Sequence, residues 1–313
     1  DEHATGLKRL GLGGFIETYN QTFSQDPLTI PRIILSHAAH YCWGKSADLL
    51  GFGSDILEFV PVDLDMRMDI SEVQNRISEL SEKQIPVLAV ITICGSTETA
   101  SIDPLFDVHT HRSKLEQTEG VTFWHHSDAA FGGFFASMIP RAEDGDFINR
   151  EPGQSSDMDL ISPELWKNIT SLSTADSISI DPHKFGFVPY PCGAVLMRDY
   201  RAREFVAFDA PYTGSKKEDG FGGFLGKWTL EGSRPGAAAI SCRLSQLALP
   251  LTSEHHGSLL RECISITRKL EKRLLDVFEG VEEAVEGWLA LPLPLSVSPT
   301  LTCSSGREKT LGS

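Results

Sequence analysis

From Pro31 onward, short apolar runs alternate with longer amphipathic stretches. IPRIILS reads as a strand, WGKSADLLGFG as a helix closed by Gly51 and Gly53, and ILEFVPV as a second strand. DISEVQNRISEL has apolar residues at helical spacing behind Asp69, with Glu72 three residues on, which predicts a capped helix start. Ile85–Cys94 is a nearly continuous apolar run, as expected of a strand buried on both faces. A helix over Leu105–Gln117 and a strand in VTFWHHS follow. A further strand, Ser177–Ile180, stops abruptly at Asp181-Pro182. Ala237–Leu251 and Ser258–Phe278 carry long helical patterns, the second directing Leu259, Ile266, Leu270, Leu274 and Leu275 toward a core.

This β-α-β-α order predicts the α/β class, with a mostly parallel central sheet flanked by helices. In such sheets ligands sit beyond the carboxyl ends of strands. The polar segments after IILS, VITIC, FWHHS and SISI occupy those places. Residues 1–29 are weakly patterned. Their GLGG follows no strand and so is not read as a phosphate loop. Arg141–Asp159 reads as a polar surface insertion and Ala210–Gly223 as a glycine-rich mobile loop. Past Gly280 the chain becomes rich in proline, serine and threonine without period, and is expected to stay unpacked.

Composition narrows the partners. The 313 residues carry a net charge of −15, which speaks against nucleic acid or an anionic membrane. No apolar run approaches the roughly 18 residues of a membrane span, and the N-terminus lacks a signal-peptide pattern. The six cysteines are scattered without a CxxC pair, as in a reduced cytoplasmic protein. The histidine pairs 109/111, 125/126 and 255/256 lack metal-ligand spacing, so no metal is expected.

The stretch SISIDPHKFGFVPY holds the most pointed chemistry. Lys184 follows a strand end, between His183 and apolar rings, where poor solvation would favour the neutral, nucleophilic amine. Taken alone it is a lysine in a turn. Asp128 ends another strand, and Ala129 and Ala130 leave room for a flat ring beside it. His40 lies in HYCWGKSADLLGFG, and Ser96 and Thr97 in GSTETASIDPL. These segments, as SxxxDPHK with G and PY, HYxWxKxADxxGxG and GSTExxxxDPL, resemble the group II pyridoxal-phosphate-dependent amino acid decarboxylases. The tyrosine decarboxylase branch is the most similar.

The resemblance implies a fold type I large domain and pyridoxal 5'-phosphate as cofactor. It implies that Lys184 carries the cofactor, Asp128 faces the pyridine nitrogen, and His40 rather than His37 stacks on the ring. Ser96, Thr97, Ala130 and His183 would contact the cofactor. Tyr190 would return a proton after carbon dioxide leaves, with Tyr212 in reserve. WTLEGSRPGA resembles a stretch that reaches the neighbouring subunit's phosphate pocket, with Ser233 at a helix start, and so implies a homodimer.

The similarity spans roughly Pro31–Phe278. The serine-glycine-glycine-threonine phosphate cradle that should precede His40 is not found, nor is the C-terminal small domain. A truncated or mis-spliced member is therefore expected. Its parts would be a large domain over 1–252, a linking helix over 253–280, and a tail over 281–313. The expected activity is decarboxylation of a tyrosine-like amino acid to the amine and carbon dioxide. The alternatives are glutamate or aspartate decarboxylation, another lyase or desulfurase reaction on the same cofactor, or a catalytically degenerate dimerisation partner.

Overall fold

The computed structural model describes residues 7–25, 27–141, 160–208 and 225–279. Residues 142–159, 209–224 with Tyr212, and 280 onward lie outside the described residues.

Six strands form one sheet in the order β2-β1-β3-β4-β5-β6. They are β1 (Arg32–Ser36), β2 (Leu57–Val60), β3 (Val87–Ile93), β4 (Trp124–Asp128), β5 (Ser177–Ile180) and β6 (Ala194–Met197). The first five run parallel, and β6 pairs antiparallel with β5. β3, flanked by β1 and β4, is buried from Ala89 to Ile93, as its unbroken apolar run requires. Only its start is open, with Leu88 about half exposed.

Helices close both faces. Between β1 and β2 lies α2 (Cys42–Leu49), and between β2 and β3 lies α3 (Ile70–Glu82). The Asp69 carboxylate accepts the Ser71 N–H at 2.9 Å and the Glu72 N–H at 3.4 Å, satisfying two of the helix's orphan donors. Behind that cap, α3 buries Val73, Ile77 and Leu80 against Ile34, Val60 and Val90. Each such side chain contributes about 1.5–3 kcal/mol. α4 (Leu105–Glu119) adds Val108 and Leu115 to this layer and stops at Gly120, whose φ of 66° is left-handed.

The second layer gathers Leu105, the 3₁₀ helix Gly133–Met138, α5 (Pro163–Thr170) and the start of α7 (His256–Glu279). Neither α5 nor the N-terminal helix α1 (Leu7–Thr22) was expected. Yet α5 has a legible start, with Ser162 as N-cap accepting from the Leu165 N–H and Pro163 in the first turn. α1 is kinked at Gly11, which is why GLGG leaves no continuous helical period.

Two close approaches tie strand ends together. The Gly132 N–H donates to the Cys94 carbonyl at 2.8 Å, and a Cβ on Gly132 would meet that oxygen at 2.5 Å. The buried Asp103 carboxyl accepts the Met68 and Ile93 N–H groups, each at 2.7 Å. Burial outweighs those two bonds and pushes its pKa up to about 7.

One expectation is corrected by α7. Leu259, Ile266, Leu270, Leu274 and Leu275 are all exposed by more than a third. The residues that pack are His256, Leu260 and Ile264, at four-residue spacing. α7 packs on the 3₁₀ helix Gly133–Met138, with Arg261 donating to the Met138 carbonyl at 3.1 Å and Arg268 reaching the Leu160 carbonyl at 3.0 Å, while most of its apolar stripe stays exposed. α6 (Ala237–Ala248) likewise leaves Ile240, Leu244 and Leu247 about 60% exposed. Among the described residues no helix is long and apolar enough to cross a membrane, and no cluster of three or more His, Cys, Asp or Glu is arranged to hold a metal ion.

Candidate active site

A cavity of about 470 Å³ opens at the carboxyl ends of β3, β4 and β5. His40, Cys42, Trp43, Ser96, Thr97, His126, Asp128, Ala130, Ser179, Asp181 and Lys184 line it. Parallel pairing produces this convergence, because Ile93 sits opposite Asp128 and Asp128 opposite Ser179. The loops after those positions therefore leave the sheet side by side. Lys184 and Asp128, far apart along the chain, face the same space.

Asp128 is held by three donors. The Trp43 indole N–H reaches Oδ2 at 3.2 Å, while the Ser179 hydroxyl and the Ala130 N–H reach Oδ1 at 3.2 and 3.3 Å. Three donors on one carboxylate fix its rotamer. His126, two residues earlier on the same face of β4, packs edge-on against Trp43. Its Nδ1 meets the Ser177 hydroxyl at 2.7 Å, and that oxygen also accepts the Trp124 indole N–H at 2.8 Å. An indole only donates, so the Ser177 oxygen accepts there, and its own proton is free for His126 Nδ1 in the tautomer that carries its hydrogen on Nε2. Burial keeps His126 below the ordinary histidine range, with Asp128 opposing. The Cys42 thiol is pushed up by burial first and by Asp128 second.

Lys184 departs from its expected surroundings. Its side chain is 38% exposed, and Nζ forms an ion pair with Asp181 Oδ2 at 3.0 Å. The sequence placed it between His183 and apolar rings, poorly solvated, but Phe185 turns inward instead, against Phe131 and Phe135. The turn itself is tight. The Lys184 N–H donates to the Asp181 carbonyl and the Phe187 N–H to the Lys184 carbonyl. A Cβ on Gly186 would lie 2.5 Å from the Pro182 carbonyl oxygen.

The other expected residues divide. His40 lines the cavity, its Nδ1 accepting the Cys42 N–H at 3.2 Å. His37 instead stacks on Phe59. Thr97 and Ala130 also line the cavity. Ser96 does too, but its hydroxyl is engaged with Thr99 and Ser101 at 2.7 and 2.8 Å. His183 is exposed, and its Nδ1 is taken up by the Cys192 backbone. Tyr190 is 40% exposed and lines no part of the cavity. Ser233 is exposed and precedes α6 by several residues rather than starting it. Sequence reasoning gave no role to Trp43 or Asp181, though both stood inside the quoted motifs, and weighed His126 only as a metal ligand.

A pyridoxal ring fits this donor set. A carboxylate pinned by three donors, with an amine and the small Ala130 lining the same cavity, suits a flat cationic heterocycle. The phosphate end is less provided. Apart from the two histidines, Lys184 is the one basic side chain among the described lining residues, with Ser46 and Thr97 as hydroxyls beside it. A larger groove of about 650 Å³ lies under α1 at the other end of the strands. Its arginine, Arg112, is already bound to Asp176 and to the Phe123 and Thr174 carbonyls, so that groove offers no unspent cation.

Comparison with known proteins agrees with this geometry. The L-tyrosine decarboxylase of Enterococcus faecalis is 35% identical over 74% of this chain, covering 38% of that protein's length. The aspartate 1-decarboxylase of Aliivibrio fischeri is 32% identical over 66% of this chain and 32% of its own. The chain thus spans about a third to two fifths of the length of these two relatives. The crystal structure of mouse CSAD superposes with a TM-score of 0.60 at 20% identity, covering 86% of this chain and 51% of that one, so the two share a fold. The pyridoxal-dependent decarboxylase conserved domain matches residues 20–149 and 156–281, and the chain belongs to that family.

Proposed function

We propose that this chain forms the cofactor-binding part of a pyridoxal-5'-phosphate-dependent amino acid decarboxylase acting on a tyrosine-like substrate, releasing the amine and carbon dioxide. The observation that carries the reading is the convergence of Lys184 and Asp128 on one cavity. When bound, the cofactor supplies an electron sink for the pair left by the departing carboxylate. Lys184 Nζ is the amine that holds the cofactor's aldehyde carbon. Asp128, oriented by Trp43 and Ser179, keeps a proton on the pyridine nitrogen. His40 and Ala130 line the cavity, where His40 would lie against the cofactor ring and Ala130 would leave space for it. Thr97 and Ser46 meet the polar rim. Since Tyr190 is outside the cavity, Lys184 is the better placed group to return the proton to the substrate carbon.

Tyrosine is favoured because the tyrosine decarboxylase of Enterococcus faecalis is 35% identical to this chain; aspartate is the competing substrate, from a relative at 32%. Exposed apolar residues on β6 and α6, among them Val195, Leu196, Ile240 and Leu244, support a homodimer. The five described cysteines are free, which supports a reducing compartment such as the cytoplasm. Residues 1–252 would form the large domain.

Incubation with pyridoxal 5'-phosphate, borohydride reduction and peptide mapping test the reading. Label on Lys184, absent from Lys184→Ala, is the expected result. A folded protein without that label would overturn it and leave the dimerisation-partner reading, which the sparse phosphate end favours. Amine and carbon dioxide from tyrosine or aspartate then identify the substrate, whereas an aldehyde or sulfur species would mean a different lyase.

A further inference from the structure

His256 is the most deeply buried polar side chain at the start of α7, 1% exposed, and nothing in the proposed chemistry uses it. Its Nε2 lies 2.8 Å from the carbonyl oxygen of Phe185, the residue after Lys184. A carbonyl only accepts, so Nε2 carries the hydrogen and donates it. Nδ1 lies 2.7 Å from the Ser137 hydroxyl, which in turn lies 2.8 Å from the Phe134 carbonyl; its single proton serves one of the two at a time. The rings of Phe134 and Phe187 pack at 5.5 and 5.6 Å from the imidazole. Burial holds the ring below the ordinary histidine range, hence neutral, which suits one donor and one acceptor.

The turn Asp181–Val188 meets its own needs elsewhere. Lys184, Phe187 and Val188 donate their N–H groups to Asp181, Lys184 and Pro182. The Phe185 carbonyl points away from that set and toward α7. We propose that His256 is a positioning residue for Lys184: by holding the Phe185 carbonyl it fixes the lysine turn against the body of the protein and so sets where the amine enters the cavity. The proposal rests on the reading of Lys184 as the cofactor-bearing amine, but the hydrogen bond can be tested without cofactor.

Two polar variants separate its halves. Glutamine places an amide N–H near the Nε2 position, whereas asparagine reaches only the Nδ1 position. His256→Gln therefore keeps donation to Phe185, and His256→Asn keeps only the Ser137 side. Ser137→Ala removes the other bond as a control. Two readouts apply to each folded full-length protein: hydrogen exchange of the Phe187 and Val188 amides, and the rate of pyridoxal phosphate labelling at Lys184. The expected result is wild-type exchange in His256→Gln and Ser137→Ala, with about tenfold faster exchange in His256→Asn. Labelling should slow by a similar factor in His256→Asn alone and be rescued by glutamine. Equal exchange in His256→Gln and His256→Asn would overturn the proposal. If wild-type protein takes no label at Lys184 while exchange still separates the two variants, the cofactor reading fails and the positioning of the turn stands.

Discussion

Lys184 and Asp181 form an ion pair at 3.0 Å across one turn, at the mouth of the cavity. An amine so engaged must leave its partner before it can attack a carbonyl. With both side chains partly solvated, such a pair contributes about 1 kcal/mol or less. Asp181→Asn is therefore expected to raise the initial rate of pyridoxal phosphate labelling at Lys184 by up to about fivefold near neutral pH. A lower rate would mean that Asp181 orients the amine rather than restrains it.

Trp43 holds Asp128 through its indole N–H. A hydrogen bond to a charged group contributes about 1.5–3 kcal/mol. Trp43→Phe keeps an aromatic ring, though a smaller one, and removes the donor, so the cofactor dissociation constant should rise about tenfold or more. Asp128→Ala should weaken binding further. Absorbance titration measures both, and the two effects should be less than additive because they act on one carboxylate.

Gly132 and Gly44 are predicted to respond in opposite directions to alanine. At Gly132 the new Cβ would press on the Cys94 carbonyl at 2.5 Å, which is backbone and cannot swing away. The expected cost is about 1–3 kcal/mol in urea unfolding. At Gly44, inside α2 with nothing within 4 Å of the added carbon, alanine should stabilise by up to about 1 kcal/mol through helix propensity.

Acid should destabilise the fold through His125. This ring is fully buried, its Nε2 meets the Thr92 hydroxyl at 3.0 Å, and burial pushes its pKa down to about 3. The unfolded chain binds the proton near pH 6.5 and the folded one does not, so stability is full above that pH and is lost as pH falls toward 3. Asp103 acts oppositely. With its pKa raised to about 7, it contributes most below the ordinary carboxylate range and loses that contribution as pH rises through 7. His125→Gln should flatten the acid limb by about 1.4 kcal/mol per pH unit, the slope for one proton. Chemical denaturation at several pH values measures it.

Much of this was legible in sequence where the signal was local. The alternation that predicted β1 to β5, and Asp69 ahead of α3, depend on neighbours a few residues apart, and the structure has them. Lys184, Asp128 and His40 stood in motifs whose spacing survives in the cavity. What could not be read was which partner each side chain meets. The solvation of Lys184 turns on Phe185 facing inward, and the face of α7 that packs turns on where the 3₁₀ helix Gly133–Met138 lies. Both are set by residues about fifty to more than a hundred positions away. Ser162 and Pro163 did announce α5, within a stretch whose polar preceding segment hid them.

At 1.5 Å per residue the 24 residues of α7 span about 36 Å, and among the described residues its last tie to the body of the protein is Arg268, which donates to the Leu160 carbonyl at 3.0 Å. Beyond that point the helix is a cantilever, held by its own backbone ladder and clamped at one end. Torque applied at the far tip would be delivered to the clamp, where His256 grips the carbonyl beside the reactive lysine. Whatever docks along the outer half of that rod thus has a mechanical route to the amine.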